Sequence, residues 1–441
     1  MLDEPVIYPI GLACLAPYLA GHEVHAIDLN GPYEDPYGEL ARLLGDVKPD
    51  VVGVSLRNIK IARPGVHVSA LGEFDAAFET IGHAAPGATV VAGGAAWSLY
   101  PEVLLKRYEQ IDLGIFSEGE EIFARVVNGE PIASIPGINY RKDGRPAATD
   151  RPARLDFSRS LGPDYGLFDV DFYRRTPYSI GVQSKRGCAL SCVHCSDKFL
   201  LGNAIDRRDP RRVVDDIELL ARRGVKDIFV ADQIFNIPMT HAEAICDEIL
   251  ARGVKVKWLA WFNERQISKT FLEKAWAAGV DILNFSPDSV SAEVLKSLRK
   301  NARPEDIQNA ILISKEIGAR VTYNFMVNGP EESMASLYRL VKFLAWAKWQ
   351  LGSRLKLHGS FVLAMRIYPH TELREIAVRK GLISEDDDLL EARYYNPAPL
   401  RHVVKAGTFF LTAAWKAKQK LRRAIRGNPI PELKDKPAAA A

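Results

Sequence analysis

The stretch KRGCALSCVHCSDK, residues 185–198, contains three of the five cysteines in this chain of 441 residues. Their positions are Cys188, Cys192 and Cys195, and His194 lies between the last two. The spacing allows a disulfide, a zinc ion, or an iron–sulfur cluster with one iron left open to another ligand. Each alternative implies a different protein, so the rest of the sequence has to separate them.

The amino-terminal segment bears on the disulfide alternative. The apolar stretch YPIGLACLAPYLA follows Asp3 and Glu4 rather than basic residues and contains two prolines, which is unlike a secretory signal peptide. We therefore expect a cytoplasmic protein, in which thiols stay reduced and clustered cysteines favour metal or redox chemistry. A formal net charge of +3 is too small to indicate a nucleic-acid partner, and no apolar run is long enough to span a bilayer.

The supply of further ligands separates zinc from an iron–sulfur cluster. A zinc site with four protein ligands usually combines two close pairs from separate segments, and the sequence has no second Cys or His pair at ligand spacing. Three thiolates on one loop can instead hold a cubane cluster whose fourth iron takes another ligand. The spacing therefore favours a 4Fe-4S cluster on Cys188, Cys192 and Cys195.

The first 125 residues alternate apolar runs with helical patterns. Nearly continuous apolar strands separated by helices are typical of a parallel sheet covered on both faces, so we predict a Rossmann-like α/β domain over residues 1–125. Ligands on such sheets bind at the carboxyl ends of the strands. The predicted strands are EVHAIDL, VVGVSL, TVVAGG and DLGIF, ending near Leu29, Leu56, Gly94 and Phe116, and the later loops read SLRNIK, GGAAWS and SEGEE.

A second alternating series follows a segment without sustained periodicity. Residues 126–178 are rich in proline, glycine and charge, and we predict a linker with a few short strands. Residues 179–385 contain six strand–helix repeats, which predict a (β/α)6 partial TIM barrel with its site at the carboxyl ends of the strands. The three cysteines come directly after the first of these strands.

The last region, residues 386–441, is predicted to be small and helical, with a disordered tail at KPAAAA. Between Arg401 and Arg426 it contains eight Lys or Arg residues and no acid, around the apolar segment FFLTAAW. We expect a helix docked on the barrel with its basic face in solvent. A helix that binds a membrane surface or a nucleic acid is the alternative.

The cysteine loop and the barrel pattern together resemble the radical S-adenosylmethionine (SAM) superfamily. In that family the open iron of the cluster binds SAM, and an electron from the cluster cleaves SAM to a 5'-deoxyadenosyl radical. The resemblance implies further SAM contacts in VHC, in SPDSVSAEVLKSLRKN after the fourth strand, and in VNGPEES; a helix-capping role is the alternative for DSVSAE. The residues concerned are His194, where the family commonly has Phe, Tyr or Trp, Asp288, Ser289, Gly329 and Pro330.

The first 125 residues resemble the cobalamin-binding domain that precedes the barrel in a large subfamily. The resemblance rests on YPIGLACLAPYLAGHEVHAIDL, KPDVVGVSL, VVAGGAAWSLYPEVLL and DLGIFSEGEEIF, in this order. The Asp-x-His-x-x-Gly motif that supplies a histidine to cobalt in other cobalamin proteins is absent, so we expect cobalt to be unligated below or covered by Arg57; a surface role is the alternative for Arg57. The other residues implied to contact cobalamin are Gly93, Gly94, Glu118, Gly119 and Glu120.

The resemblance implies a cobalamin-dependent radical SAM methyltransferase that methylates an unactivated carbon of a small molecule, such as a natural product or secondary metabolite. One SAM would supply the methyl group by way of methylcobalamin, and another would supply the radical that abstracts a substrate hydrogen. An electron donor such as flavodoxin or ferredoxin would reduce the cluster. The alternatives are a radical SAM cyclase or rearrangement enzyme, a P-methyltransferase, and a non-catalytic cobalamin or iron–sulfur sensor. No catalytic side chain is predicted, although Asp232, Gln233 and Asn236 in ADQIFN are expected to border the substrate space.

Overall fold

The computed structural model describes residues 6–63, 66–357, 361–407 and 409. These residues form two α/β units and a short C-terminal region in which residues 401–407 are helical. The predicted tail KPAAAA and most of the basic segment 401–426 lie outside the described residues.

The N-terminal unit surrounds one sheet with helices. In chain order its elements are α1 (Ile10–Leu15), α2 (Pro36–Val47), β1 (Val51–Ser55), β2 (Lys60–Arg63), β3 (Val66–Ser69), α3 (Leu71–Ala84), β4 (Thr89–Gly93), α4 (Ala95–Leu99), α5 (Pro101–Arg107), β5 (Leu113–Ile115), α6 (Glu120–Val127), β6 (Ile138–Lys142) and β7 (Arg145–Ala148). The strand order is β1-β4-β5-β6-β7, and the hairpin β2–β3 stands apart. Strands β1, β4 and β5 are parallel, as predicted, and β6 and β7 are antiparallel.

The predicted strand EVHAIDL, residues 23–29, is wrong, because this segment forms no strand. A strand needs a neighbour that satisfies its backbone N–H and C=O groups, and β1 has a single sheet partner, β4, among the described residues. The apolar signal had another cause: Ile27 and Leu29 pack against the hydrophobic core, while Glu23, Val24 and His25 are exposed.

The segment 126–178 adds two strands to the N-terminal sheet. Strand β6 pairs with β5, with Asn139 opposite Gly114, and β7 pairs with β6. The sheet therefore continues beyond residue 125, to Ala148. Trp97 is fully buried against β5, and a side chain at Gly114 would come within 1.7 Å of the Trp97 ring. The absence of a side chain at Gly114 is what lets α4 approach the sheet.

The second unit contains the elements of a partial barrel. In chain order they are α7 (Val170–Tyr173), β8 (Gly181–Val182), β9 (Lys185–Arg186), α8 (Asp197–Leu201), β10 (Asp206–Arg207), α9 (Pro210–Arg222), β11 (Asp227–Val230), α10 (Met239–Arg252), β12 (Lys257–Phe262), α11 (Lys269–Ala277), β13 (Val280–Asp288), α12 (Ala292–Ser297), α13 (Pro304–Glu316), β14 (Val321–Met326), α14 (Met334–Leu351), β15 (Leu355–Lys356) and β16 (Phe361–Val362). A short sheet of β17 (Met365–Ile367) and β18 (Arg393–Tyr395), with α15 (Glu372–Arg379), follows.

The barrel strands are all parallel and lie in chain order, β8-β11-β12-β13-β14-β15, with β16 also paired to β14. The predicted partial TIM barrel is therefore confirmed. Local chemistry sets the crossovers: Asp209 caps α9 by accepting from the backbone N–H of Arg211, and Pro210 occupies the first turn. The buried residues of α9 recur at helical spacing and are Val213, Val214, Ile217 and Leu220.

One hydrophobic core joins the two units. It includes Leu56 and Trp97 of the N-terminal unit together with Val193, Leu298 and Leu373 of the second. Val193 lies between Cys192 and His194, so the cysteine loop is packed into the contact between the units. A separate core fills the space between the barrel sheet and its helices.

Candidate functional site

The cysteine loop is held at its centre by backbone hydrogen bonds. The N–H of Val193 donates to the carbonyl of Leu298 at 3.2 Å, and the carbonyl of Val193 accepts from the N–H of Leu373 at 2.8 Å. A turn brings the N–H of Cys195 to the carbonyl of Cys192 at 3.2 Å. The loop is therefore fixed by α12 and α15 on either side, while its three thiols stay partly exposed.

The three thiols fit a cluster that each of them ligates separately. Burial raises the pKa of Cys188 and Cys192, and it raises the pKa of Cys195 to about 12. Metal binding has to displace the thiol protons, and soft thiolates favour iron–sulfur centres. Among the described residues, no three His, Cys, Asp or Glu side chains are arranged to share a single metal ion. Each thiolate of a 4Fe-4S cluster binds a different iron, so the thiols need not meet at one point.

A buried ion pair fixes the chain just before the loop. Lys185 and Asp232 are both fully buried, with Nζ and Oδ2 at 2.7 Å, and Lys185 also donates to the carbonyl of Phe235 at 2.9 Å. The carboxylate of Asp232 accepts from the N–H and hydroxyl of Ser184. Asp232 is therefore already satisfied by Ser184 and Lys185, so it holds the segment between the first barrel strand and the cysteine loop. The predicted substrate contact at Asp232 stays a prediction.

Two other residues of ADQIFN lie at the same end of the barrel. The side chain of Asn236 donates to the carbonyl of Asn263 at 2.9 Å and accepts from its N–H at 2.7 Å, which ties the ends of β11 and β12 together. The Oε1 atom of Gln233 is buried without a hydrogen-bond partner. Such an atom is costly unless something bonds to it, so Gln233 offers an acceptor to a bound molecule.

The carboxylate of Asp288 is the centre of a charged group after the fourth strand. Asp288 is buried at a backbone φ of 68°, and its Oδ2 lies 2.8 Å from Nζ of Lys300 and 3.6 Å from Nε2 of His194. Burial opposes the charge of Lys300, but Asp288, together with Cys192 and Glu264, outweighs burial and raises the pKa of Lys300. Burial lowers the pKa of His194. The structure thus brings together two residues that were predicted to contact SAM, His194 and Asp288.

Ser289 and the glycine–proline turn have mainly local contacts. The hydroxyl of Ser289 accepts from the N–H of Ser291 at 3.2 Å, which forms a local turn before α12, and Ser291 at the start of α12 makes no side-chain capping hydrogen bond. The carbonyl of Pro330 accepts from the hydroxyl of Ser297 at 2.7 Å, and a side chain at Gly329 would lie 2.8 Å from Met365. The turn therefore packs on the same α12 segment that supports the cysteine loop.

Two charged residues of this site were missed in the sequence. Lys300 follows α12 without a helical or strand pattern, and nothing in the sequence marks it as the partner of Asp288. Glu264 follows β12 and is buried with Oε1 unpartnered. Burial, partly offset by Lys300, raises the pKa of Glu264 to about 7. The available sequence signal for Glu264 was its position in NER, where an acidic and a basic residue directly follow the end of a strand.

The carboxyl edge of the N-terminal sheet is open at Gly93 and crowded at Gly94. A side chain at Gly93 would meet no atom within 4 Å. Gly94 has φ +92°, and a side chain there would lie 2.7 Å from the carbonyl oxygen of Leu56. Arg57, next to Leu56, is exposed. This edge fits a large planar ligand, because it presents backbone and one long cation rather than bulky side chains.

The loop Glu118-Gly119-Glu120 lies between the two units. Arg186, directly before the cysteine loop, pairs with Glu118 at 3.2 Å and with Glu120 at 2.6 Å. Glu118 also accepts from the N–H of Leu155 at 2.9 Å. Both carboxylates thus have partners in or next to the barrel, and the predicted cobalamin contact of this loop stays a prediction.

Aromatic contacts bring the two carboxyl edges together. Phe116, directly after β5, meets Phe199 of α8 edge to face at 5.5 Å between ring centroids. The hydroxyl of Ser117 donates to the carbonyl of Leu200 at 2.6 Å. Phe199 also stacks on His370 at 3.8 Å. Since α8 begins two residues after Cys195, the ligand edge of the first sheet touches the segment that follows the thiols.

Family comparison agrees with this arrangement. Residues 182–344 match the radical SAM superfamily, and residues 4–127 match the B12 binding domain. The chain is a radical SAM enzyme with a B12-binding domain. The predicted cofactors of this enzyme, a 4Fe-4S cluster, SAM and cobalamin, are confirmed by the two matches. None of the described helices is both long and apolar enough to cross a bilayer.

Individual relatives of this radical SAM enzyme have related names. It is 25% identical to an uncharacterized methyltransferase of Pyrococcus horikoshii over 85% of this chain and 79% of the relative. It is 26% identical to the anaerobic magnesium-protoporphyrin IX monomethyl ester cyclase of Rubrivivax gelatinosus, over 76% of this chain and 62% of the relative. Its fold matches that of the radical SAM methyltransferase TsrM of Kitasatospora setae, whose structure has cobalamin and a 4Fe-4S cluster bound, with a TM-score of 0.75 at 21% identity, covering 87% of this chain and 74% of the other.

Proposed function

We propose that the enzyme transfers a methyl group from SAM to an unactivated carbon of a small molecule, with cobalamin bound at the N-terminal edge. The observation that carries this proposal is the contact of Phe116 and Ser117 with Phe199 and Leu200. It sets the open edge at Gly93 beside the cysteine loop, so both cofactors can serve one substrate. The Pyrococcus relative named as a methyltransferase supports the same activity.

The cofactors would supply a carbon-centred radical from SAM and a methyl carrier at cobalt. The chain itself has to bind, orient and exclude water. Cys188, Cys192 and Cys195 would hold the iron of the cluster, and His194 and Asp288, 3.6 Å apart, would contact SAM beside it. The ion pair holds Asp288 and Lys300 in position. The carboxylate of Asp288 can still accept hydrogen bonds from the hydroxyls of a ribose. Gln233 presents an unpaired acceptor to the substrate.

A radical SAM cyclase is the second candidate. The cyclase of Rubrivivax gelatinosus matches 76% of this chain, at an identity similar to that of the Pyrococcus methyltransferase. A cyclase would use the radical without transferring a methyl group. The two candidates therefore differ in what becomes of SAM, which can be measured directly.

The experiment follows both SAM products during anaerobic turnover with SAM deuterated in its methyl group. A methyltransferase should form S-adenosylhomocysteine and 5'-deoxyadenosine in equal amounts, with all three deuteriums in the product. Deoxyadenosine without S-adenosylhomocysteine would favour the cyclase. Labelled product without deoxyadenosine would show polar methylation and overturn the radical route. A flavodoxin or ferredoxin is the electron donor we expect, and a chemical reductant provides the control.

A further inference from the structure

Helix α14 carries an apolar stripe on the outside of the barrel. The side chains of Met334, Tyr338, Val341 and Trp349 are 61%, 65%, 63% and 79% exposed. At about 100° per residue these positions, with the exposed Ala345, fall within about 80° of the helix circumference. The buried residues of α14 lie on the opposite side and are Ser336, Leu340, Phe343, Ala347 and Leu351.

The stripe differs from ordinary surface apolar residues by its continuity. Single exposed residues such as Leu161, Leu250 and Leu312 are also present on this molecule, and scattered ones are normal. A row of mostly large apolar side chains from Met334 to Trp349 of one helix is a patch, and exposed patches mark interaction sites. The stripe, defined as Met334, Tyr338, Val341, Ala345 and Trp349, therefore points to a partner.

The charges beside the stripe narrow the kind of partner. Helix α14 contains Arg339, Lys342 and Lys348 and no acidic residue. By helix geometry Lys342 and Lys348 flank the stripe on its two sides, and Lys342 lies over the Tyr338 ring at 5.7 Å. Arg339 is turned away and pairs with Glu293 at 3.1 Å. The surface is thus an apolar ridge between two cations.

The same charges disfavour two occupants from this chain. A second copy would bring the flanking lysines of two α14 helices together, which costs free energy. The segment 401–426 has eight Lys or Arg residues and no acid, so it offers no negative charge to pair with these lysines. An acidic protein would match the charge of Lys342 and Lys348, and a groove lined by Lys342, Phe343 and Trp346 of α14 lies beside the stripe. The stripe itself lies outside that groove, and apolar side chains between two cations suit an anionic lipid surface.

We propose that α14 docks on an anionic lipid surface, with the stripe at the boundary of headgroups and acyl chains. Trp and Tyr are favoured at membrane–water interfaces, and amphipathic helices with flanking cations bind there without spanning the bilayer. Lys342 and Lys348 would then lie at the height of the lipid phosphates. This inference does not depend on the methyl transfer proposed above.

The test is flotation of the full-length protein with vesicles of phosphatidylcholine, alone or mixed with phosphatidylglycerol. The anionic vesicles should bind more protein, and added salt should reduce binding. The double variant Tyr338→Ser/Trp349→Ser should lower the partition coefficient about tenfold or more. Lys342→Glu/Lys348→Glu should lower it about as much on anionic vesicles only. The matched control Leu161→Ser/Leu250→Ser should bind like the wild type.

Other results would overturn the proposal. Absence of binding to anionic vesicles at low salt, or equal binding by the stripe variant and the wild type, contradicts a lipid-docking role for α14. A wild-type dimer that the stripe variant converts to monomer would assign the stripe to a second copy. Binding of a glutamate-rich peptide without vesicle binding would assign it to an acidic protein. Iron content and circular dichroism of each variant check that the barrel is intact.

Discussion

The carboxyl ends of the two sheets are built in opposite ways. At the barrel end, buried charges are paired: Lys185 with Asp232, and Lys300 with Asp288. At the N-terminal end, Gly93 faces open space and Arg57 is exposed. The barrel end is therefore held rigid by side chains, whereas the N-terminal end presents mainly backbone.

This difference matches what each end has to bind. A cluster and SAM need a few groups in fixed positions, which buried ion pairs and the hydrogen bonds of Val193 provide. A large planar cofactor needs room, which missing side chains provide. We expect changes at the barrel end to have large and specific effects, and changes at the N-terminal end to have small ones.

The largest effect is expected at the thiols. Replacing Cys188, Cys192 and Cys195 together with Ala should abolish iron and sulfide binding after anaerobic reconstitution, because no other soft ligands are on this loop. Iron and sulfide analysis and visible absorption measure this. The matched control, Cys246→Ala in the barrel core, should keep its cluster. Stoichiometric zinc in the wild type, without the absorption of an iron–sulfur cluster, would contradict the assignment.

The next effect is on folding. Asp232→Ala leaves Lys185 buried without its counter-charge, so we expect a loss of about 3–5 kcal/mol in the free energy of unfolding. Urea denaturation followed by fluorescence measures it. Asp216→Ala, which removes the less buried partner of Arg208, should cost less. A loss below about 1 kcal/mol for Asp232→Ala would mean that the pair does not stabilise the barrel end.

The raised pKa of Glu264 indicates how the free energy of unfolding should change with pH. Its pKa is raised from 4.5 to about 7 in the folded state, so the folded protein binds this proton more tightly than the unfolded chain. The free energy of unfolding should fall as pH rises from about 4.5 through about 7, by about 3 kcal/mol at most from this group. Glu264→Gln should be more stable than the wild type at pH 8 and similar below pH 4.5. Parallel stability curves for the two proteins across this range would refute the shift.

The smallest effect is expected at Arg57. Arg57→Lys keeps the charge at the open edge, so cobalamin should still bind, with a changed cob(II)alamin electron resonance spectrum if the guanidinium covers cobalt. The wild-type spectrum should lack nitrogen splitting from a protein histidine. An unchanged spectrum in Arg57→Lys would return Arg57 to a surface role, and histidine splitting would contradict an unligated cobalt.

The sequence predicted those parts of the molecule that rest on local patterns. The barrel strands, the Asp209–Pro210 start of α9 and the position of the thiols after the first strand follow from periodicity, caps and spacing. EVHAIDL was mispredicted because its apolar residues pack on a core without pairing. A strand depends on a neighbour, and the sequence of the strand itself does not contain that neighbour.

The ion pairs of the site could not be predicted in this way. Lys300 reaches Asp288 across a helix, and Arg186 reaches Glu118 and Glu120 across 66 residues or more. The Lys300–Asp288 pair is set by how the chain folds back within the barrel and the Arg186 pairs by how the two units pack, and no local pattern encodes either. The proposed division of the chain at residue 125 was also based on local patterns. The strands β6 and β7 lie beyond that residue and join the first sheet.

The central claim is that the two cofactor edges face one substrate space across the contact of Phe116 with Phe199. Electron resonance of the protein loaded with cob(II)alamin and a reduced 4Fe-4S cluster tests it most directly, and needs no substrate. Magnetic coupling between the two spins is expected, and it should disappear in the triple cysteine variant. A spectrum equal to the sum of the two separate signals, with no coupling by pulsed methods, would contradict it.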